Sequence, residues 1–221
     1  MKELITHHNP KSIISESIKG VRTNLLFTGV DHGLKTILVT SSVPGEGKSF
    51  ISSNLAVAFS QSKYNVLLVD CDMRKGRIHR IFNVVNDKGL SDMLIQGKSL
   101  ELKPYIKKTD IPNVSLLPMG TTPPNPLELL SSSRFVEFLE EAKKEYDIII
   151  LDSTPVSVVS DALVLSKLVD ETIIVASHRN TDVKTLINTK KAIINAGGSI
   201  AGVVLNKKRT KKKDYYGKYY Q

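Results

Sequence analysis

The stretch TILVTSSVPGEGKSFISSN, Thr36 to Asn54, holds residues whose types and spacing suit phosphate chemistry. An apolar run ends at Thr40, a loop with Pro44, Gly45 and Gly47 follows, and Lys48 and Ser49 open a helical pattern. A phosphate loop reads glycine, four residues, glycine, lysine, then serine or threonine, between a strand and a helix. The eight residues here run from Ser42 to Ser49, with Ser42 in place of the first glycine. Glycines let the backbone come close to a ligand and take positive φ. Successive N–H groups and a helix N-terminus then point at phosphate oxygens. Lys48 can reach the β- and γ-phosphates as a compact cation, and the Ser49 hydroxyl can ligate Mg²⁺. Gly45, Glu46, Gly47, Lys48, Ser49 and Phe50 are therefore the expected nucleotide-binding run, with the Glu46 side chain facing solvent.

Two further stretches end in carboxylates. NVLLVDCDMRKG places Asp70 and Asp72 at i and i+2 after an apolar run, and DIIILDSTP ends its run at Asp152. On an extended segment i and i+2 share a face, so Asp70 and Asp72 can aim at one place. A carboxylate at a strand end beside a phosphate loop is the usual arrangement around Mg²⁺. Ligands of open α/β sheets bind at the carboxyl ends of the strands, where the loop and all three aspartates fall. Cys71, between two of them, reads as packing. His7, His8, His32, His79 and His178 show no metal-ligand spacing apart from the terminal pair, which is expected to fray. No metal is assigned to histidine.

These residues need a scaffold. Strand-like runs are Thr36–Thr40, Asn65–Asp70, Val114–Leu117, Asp147–Asp152, Thr172–Ser177 and Ile200–Asn206. Several are apolar at nearly every position, as in parallel strands covered on both faces. Helical patterns alternate with them at roughly 12–27, 49–62, 132–145, 158–168 and 182–196. The alternation predicts an α/β fold: a doubly wound, mostly parallel sheet flanked by helices, of the P-loop NTPase kind. Irregular stretches are expected at about 71–90, 107–113 and 119–128, the last holding TTPPNP, whose prolines rule out a helix interior. In the first helix Ile14, Ile18, Val21 and Leu25 form a stripe expected to face the core, away from Glu16, Lys19 and Arg22.

A chain of 221 residues suits one domain, read as 1–206, with a tail at 207–221. One cysteine excludes a disulfide within the chain. There is no signal-like leader and no run near the ~20 apolar residues of a membrane span, so a cytoplasmic chain is expected, reaching a membrane only through a partner. The formal net charge is +9, but residues 207–221 carry seven cations against one anion, leaving +3 for the body. Four of the seven tyrosines, Tyr215, Tyr216, Tyr219 and Tyr220, fall in this tail.

In that order, VPGEGKS, LLVDCDMRKG and IIILDSTP resemble the three nucleotide motifs of the bacterial tyrosine kinases of capsule and exopolysaccharide synthesis. PPNPLELL and the tyrosine-rich terminus resemble that family too. The resemblance implies an ATP- and Mg²⁺-dependent protein tyrosine kinase that phosphorylates its own tail tyrosines, in trans within a ring-like homo-oligomer. It implies Lys48 and Ser49 on phosphate and Mg²⁺, Asp70 beside the incoming hydroxyl as base or orienting group, and Asp72 and Asp152 around Mg²⁺. Asn206 would contact adenine. Glu16, Lys19 and Arg22 resemble the family's E-x-x-R-x-x-R self-association motif, with Lys19 replacing the first arginine. The expected partners are the cytoplasmic segment of a membrane adaptor, copies of the chain itself and other protein substrates, with no nucleic acid. Single motifs are shared with positioning and partitioning ATPases, which usually carry a second lysine early in the loop; SSVPGEGK has none. Such an ATPase, its basic tail on membrane or DNA, is the alternative; a nucleotide-binding scaffold is a third.

Each phosphotyrosine carries about −1.5 to −2 near neutral pH, so four would neutralise or invert the +6 tail. Phosphorylation is expected to release a tail docked on acidic groups of a neighbouring copy.

Overall fold

The computed structural model describes residues 2–29, 33–96 and 101–208. The expected acceptors Tyr215, Tyr216, Tyr219 and Tyr220, and most of the tail, lie outside them.

Among the described residues seven strands form one sheet: β1 (Thr36–Ser41), β2 (Val66–Asp70), β3 (Lys107–Lys108), β4 (Val114–Leu117), β5 (Ile148–Pro155), β6 (Glu171–Ser177) and β7 (Ile200–Asn206). Their order is β3-β4-β2-β5-β1-β6-β7. Every pair is parallel except β3 with β4. The helices are α1 (Ile5–His8), α2 (Ile13–Thr28), α3 (Lys48–Gln61), α4 (Ile78–Phe82), α5 (Leu90–Ile95), α6 (Pro126–Leu130), α7 (Ser133–Glu145), α8 (Asp161–Ser166) and α9 (Val183–Asn195).

The continuous apolar strands are explained by two cores. Ile37, Val39, Val66, Leu68, Ile148 and Ile150 pack on one face with Leu55 and Phe59 of α3 and Ile18 and Leu25 of α2. The alternate positions, Leu38, Leu67, Val69, Ile149 and Leu151, pack on the other face with Phe135, Phe138 and Leu139 of α7. A period of two puts neighbouring residues on opposite faces, so a strand with a core on each side is apolar throughout.

Several expectations need correction. The N-terminal segment does not fray: Leu4 is fully buried, Thr6 N donates to Asn54 Oδ1 at 2.9 Å, and Asn54 Nδ2 donates to Glu3 O at 2.9 Å. Ile14 is 48 % exposed rather than facing the core. The stretch 71–90 contains α4, and β3 falls within 107–113. The TTPPNP segment ends in a helix, since Pro126 takes the first turn of α6, where a missing N–H costs nothing.

Candidate active site

The strand order places β2, β5 and β1 side by side at the centre of the sheet. The parallel register pairs Asp70 with Asp152, and Val39 with Asp152, so the loop after β1 and the aspartates converge at one edge. Gly45 and Gly47 have φ of +79° and +100°. Ser49 Oγ donates to Asp152 Oδ2 at 2.6 Å, and Lys48 is buried alongside. A cavity of about 280 Å³ opens here, walled by Gly47, Lys48, Ser49 and Asp72. Arg74, Lys75 and Arg77 add cations, and Pro155 and Val158 an apolar side.

The two aspartates at the end of β2 and just beyond it part company. Asp72 is half-buried in the cavity wall, and its Oδ1 accepts from Arg74 N and Lys75 N, at 3.3 and 2.9 Å. Asp70 is fully buried behind the wall, and its Oδ2 accepts from Ile78 N at 3.1 Å. Gly76 closes over it, so that a methyl group there would stand 2.7 Å from Asp70 Oδ2. Burial, and then the nearby Asp152 charge, push the Asp70 carboxyl well above the usual carboxylate range. Asp152 is pushed up to about 6 by burial, against the opposing pull of Lys48 and of the Ser49 hydroxyl.

Asp70 Oδ1 and Asp152 Oδ1 are buried without a hydrogen-bond partner among the described residues. The orphaned Asp152 oxygen beside the Ser49 hydroxyl, with Asp72 in the cavity wall, offers an all-oxygen donor set, which fits a hard divalent cation. Among the described residues no group of three or more His, Cys, Asp or Glu side chains is arranged to hold a metal alone.

The raised Asp152 value has a consequence with a definite sign. A carboxyl whose folded pKa exceeds its unfolded value makes the folded state bind more protons, so stability falls as pH rises between the two. From about pH 4 to about pH 6, the ligand-free protein is expected to lose up to about 3 kcal/mol through this group. Denaturant melts across that window, without nucleotide or divalent cation, would reveal it. A flat profile would contradict the burial of an ionising Asp152.

Glu46 corrects the expectation of a solvent-facing side chain. It is 1 % exposed. Its carboxylate accepts from Val43 N at 2.9 Å, from Ser177 N at 3.2 Å and from the Thr181 hydroxyl. The loop is thus bound to the end of β6 and the segment that follows it. Ser42, at the missing first glycine, is buried and accepts from Thr189 Oγ1 of α9 at 3.0 Å. Asn206 Nδ2 donates to Glu46 O at 2.8 Å, and Lys207 Nζ donates to Gly45 O at 2.6 Å. A second cavity, of about 320 Å³, adjoins the loop; Phe50 borders both, and Asn206, Ile14 and Leu205 line the second.

Thr181 and Thr189 join this network, and Asp161 meets Arg74 at the cavity, with no motif to announce them. Their role depends on contacts across more than eighty residues of sequence. Replacing Glu46 by glutamine turns acceptor oxygens toward donors. Glu46→Gln is expected to cost about 1.5–3 kcal/mol in a nucleotide-free thermal melt. An unchanged melting temperature would remove the clamp from the account.

The three α2 residues lie elsewhere and are spent within the chain. Lys19 Nζ meets Glu16 Oε1 and Pro10 O, each at 2.8 Å. Arg22 donates to Ala58 O at 2.9 Å and to the Ser62 hydroxyl, closing the C-terminal end of α3.

An AAA domain family model matches residues 34–199. Tyrosine-protein kinase YwqD of Bacillus subtilis is 36% identical over 218 residues, covering 99% of this chain and 91% of its own. Among solved structures, the chimerical protein CapA2B2 superposes with a TM-score of 0.90 at 38% identity, over 95% of this chain and 92% of that one. The kinase domain of the Escherichia coli tyrosine kinase ETK does so with a TM-score of 0.90 at 32% identity, over 96% and 83%.

Proposed function

The chain belongs to the bacterial tyrosine-protein kinases, and from that premise we propose that it moves the γ-phosphoryl of ATP to its own C-terminal tyrosines. The observation that carries this reading is the convergence of Lys48, Ser49, Asp72 and the positive-φ loop on one cavity. Triphosphate would lie against the loop N–H groups and Lys48. The base would extend past Phe50 toward Asn206 and the second cavity. Asn206 already spends its amide on Glu46 O, so its contact with adenine would be shared with the loop.

Ser49, Asp72 and Asp152 would hold Mg²⁺, which when bound neutralises charge on the phosphates. Asp70 would approach the acceptor hydroxyl once the Asp72–Arg77 turn lifts Gly76 from its carboxylate. Catalysis would rest on positioning and charge stabilisation, as phosphoryl transfer asks little else of a protein.

The tail begins at Lys207, whose ammonium rests on Gly45 O. Tyr215 is eight residues further on, up to ~27 Å of extended chain, so a tail rooted at the loop can present its tyrosines to the cavity of a neighbouring copy. In this reading Glu16, Lys19 and Arg22 mediate a ring-like homo-oligomer, in which transfer runs in trans, at the cost of their contacts within the chain. No helix among the described residues is long and apolar enough to cross a membrane. The cytoplasmic segment of a membrane adaptor would bring the chain to the inner face of the membrane, and capsule or exopolysaccharide synthesis would be the regulated process. Other protein substrates belong to the same reading.

Phosphate mapping by mass spectrometry, after incubation of the full chain with Mg-ATP, tests it. Phosphate on Tyr215–Tyr220, absent in Lys48→Met, is the expected result. ATP hydrolysis without phosphotyrosine would turn the assignment toward the positioning ATPase.

A further inference from the structure

One arginine at the cavity is anchored but not spent. Arg74 Nε donates to Asp161 Oδ2 at 3.2 Å, while neither of its Nη groups donates to a described residue. Asp161, the first residue of α8, has a side chain only 1 % exposed, against 41 % for Arg74. Its other oxygen, Oδ1, is buried without a partner among the described residues. A buried carboxylate is costly unless paired, and separating such a pair leaves the charge stranded. The pairing therefore holds Arg74 by Nε and leaves both Nη groups uncommitted among the described residues, on a side chain that lines the cavity with Lys48, Ser49 and Asp72.

The other two cations are placed differently. Arg77 is turned to a surface pair, one of its Nη groups meeting Glu3 at 2.5 Å, so its fork is engaged from the outer side. Lys75 is exposed, and only its backbone is tied down, to Asp72. A flexible ammonium suffices for passing charge on a mobile acceptor. A planar fork held from behind suits oxygens whose position is set in advance. In the nucleotide-site reading above, that group would be the terminal phosphoryl of a nucleotide seated on the loop.

We propose that Arg74 is an arginine finger carried by the chain itself, that its fork contacts the γ-phosphoryl group, and that Asp161 is the residue that positions it. The inference rests on the nucleotide-site reading above. In the transfer, a P–O bond forms to the tyrosine oxygen. The β,γ-bridging P–O bond breaks with its electron pair remaining on ADP, and the phenol proton passes to a site carboxylate. Charge spread over the three equatorial oxygens is what a guanidinium stabilises, and arginine fingers act in this way whether supplied in cis or in trans.

The test is equilibrium binding of Mg²⁺ complexes of ADP and of a non-hydrolysable β,γ-methylene ATP analogue to the full chain and its variants. Arg74→Gln is expected to weaken the triphosphate analogue about 10- to 100-fold while ADP stays within about twofold, since only the former carries the contacted group. Arg74→Lys is expected not to rescue, because an ammonium offers no fork. Asp161→Asn is expected to shift the same ratio in the same direction. A merely structural Asp161 would move both nucleotides together or only the melting temperature. Equal losses for both nucleotides would overturn the proposal. So would unchanged triphosphate affinity with a raised KM for an acceptor peptide, which would make Arg74 a reader of the acceptor. A parent chain that binds neither nucleotide would overturn the underlying site reading as well.

Discussion

Replacing Lys48 by methionine is expected to reduce phosphotyrosine formation by at least about 100-fold while leaving a folded protein. Loss of one preorganised electrostatic contact at a reacting group typically costs 10²–10³ in rate. Lys48 is buried in the cavity wall at the start of α3, so methionine fills its volume without the charge. The charge also acts on Asp152, whose carboxyl Lys48 pulls down against burial. In Lys48→Met the Asp152 carboxyl should titrate above its present value of about 6. The pH window over which the ligand-free protein loses stability should widen upward accordingly. Two measurements separate these effects: phosphate incorporation by mass spectrometry, and denaturant melts as a function of pH. Phosphotyrosine at parental levels in the variant would remove Lys48 from the chemistry.

Gly47→Ala is expected to have the next largest effect, on nucleotide binding. The residue sits at φ +100°, where an L side chain is strained. A methyl group there would also stand 2.1 Å from Asn206 Nδ2, a separation no real contact tolerates. The Asn206 amide must withdraw and release Glu46 O, so the loop loses both its shape and its tie to β7. Affinity for Mg-ADP is expected to fall at least about 100-fold, of which backbone strain alone accounts for about 1–3 kcal/mol. Gly45→Ala is the control. Gly45 also has positive φ, +79°, but a methyl group would meet open space. It should lose less, and calorimetric titration of the two variants separates strain from collision. Equal losses would mean that the Asn206 contact contributes nothing.

The parts of this site that lie in one short window are legible in the sequence. Lys48 and Ser49 follow a strand and open a helix. The apolar runs before Asp70 and Asp152 are continuous because each strand has a core on both faces. What the sequence withholds is direction. Asp70 and Asp72 share the spacing of one face, yet the chain turns after β2, so one carboxylate meets the cavity and the other lies under Gly76. Glu46 carries a charge in a loop, and local reasoning sends it to solvent. Its acceptors are satisfied by Ser177 and Thr181, about 130 residues away. The pair of Arg74 with Asp161 is hidden for the same reason, and so is the cap that Arg22 makes on α3. Short elements such as α1, α4 and β3 have too few residues to display a period. The burial of Leu4 and the Asn54 contacts, rather than propensity, hold α1 in place.

The chain has a single thiol, and the fold has placed it where almost nothing can reach it. Cys71 is fully buried between Asp70 and Asp72, and burial, with those carboxylates, pushes its thiol well above the ordinary range. Thiolate is the species that alkylating reagents attack, so the closed protein should be nearly inert to them. Labelling then requires the strand end beneath the Asp72–Arg77 turn to open. The rate of modification becomes a clock for that opening, readable by intact mass with no added probe and no competing cysteine.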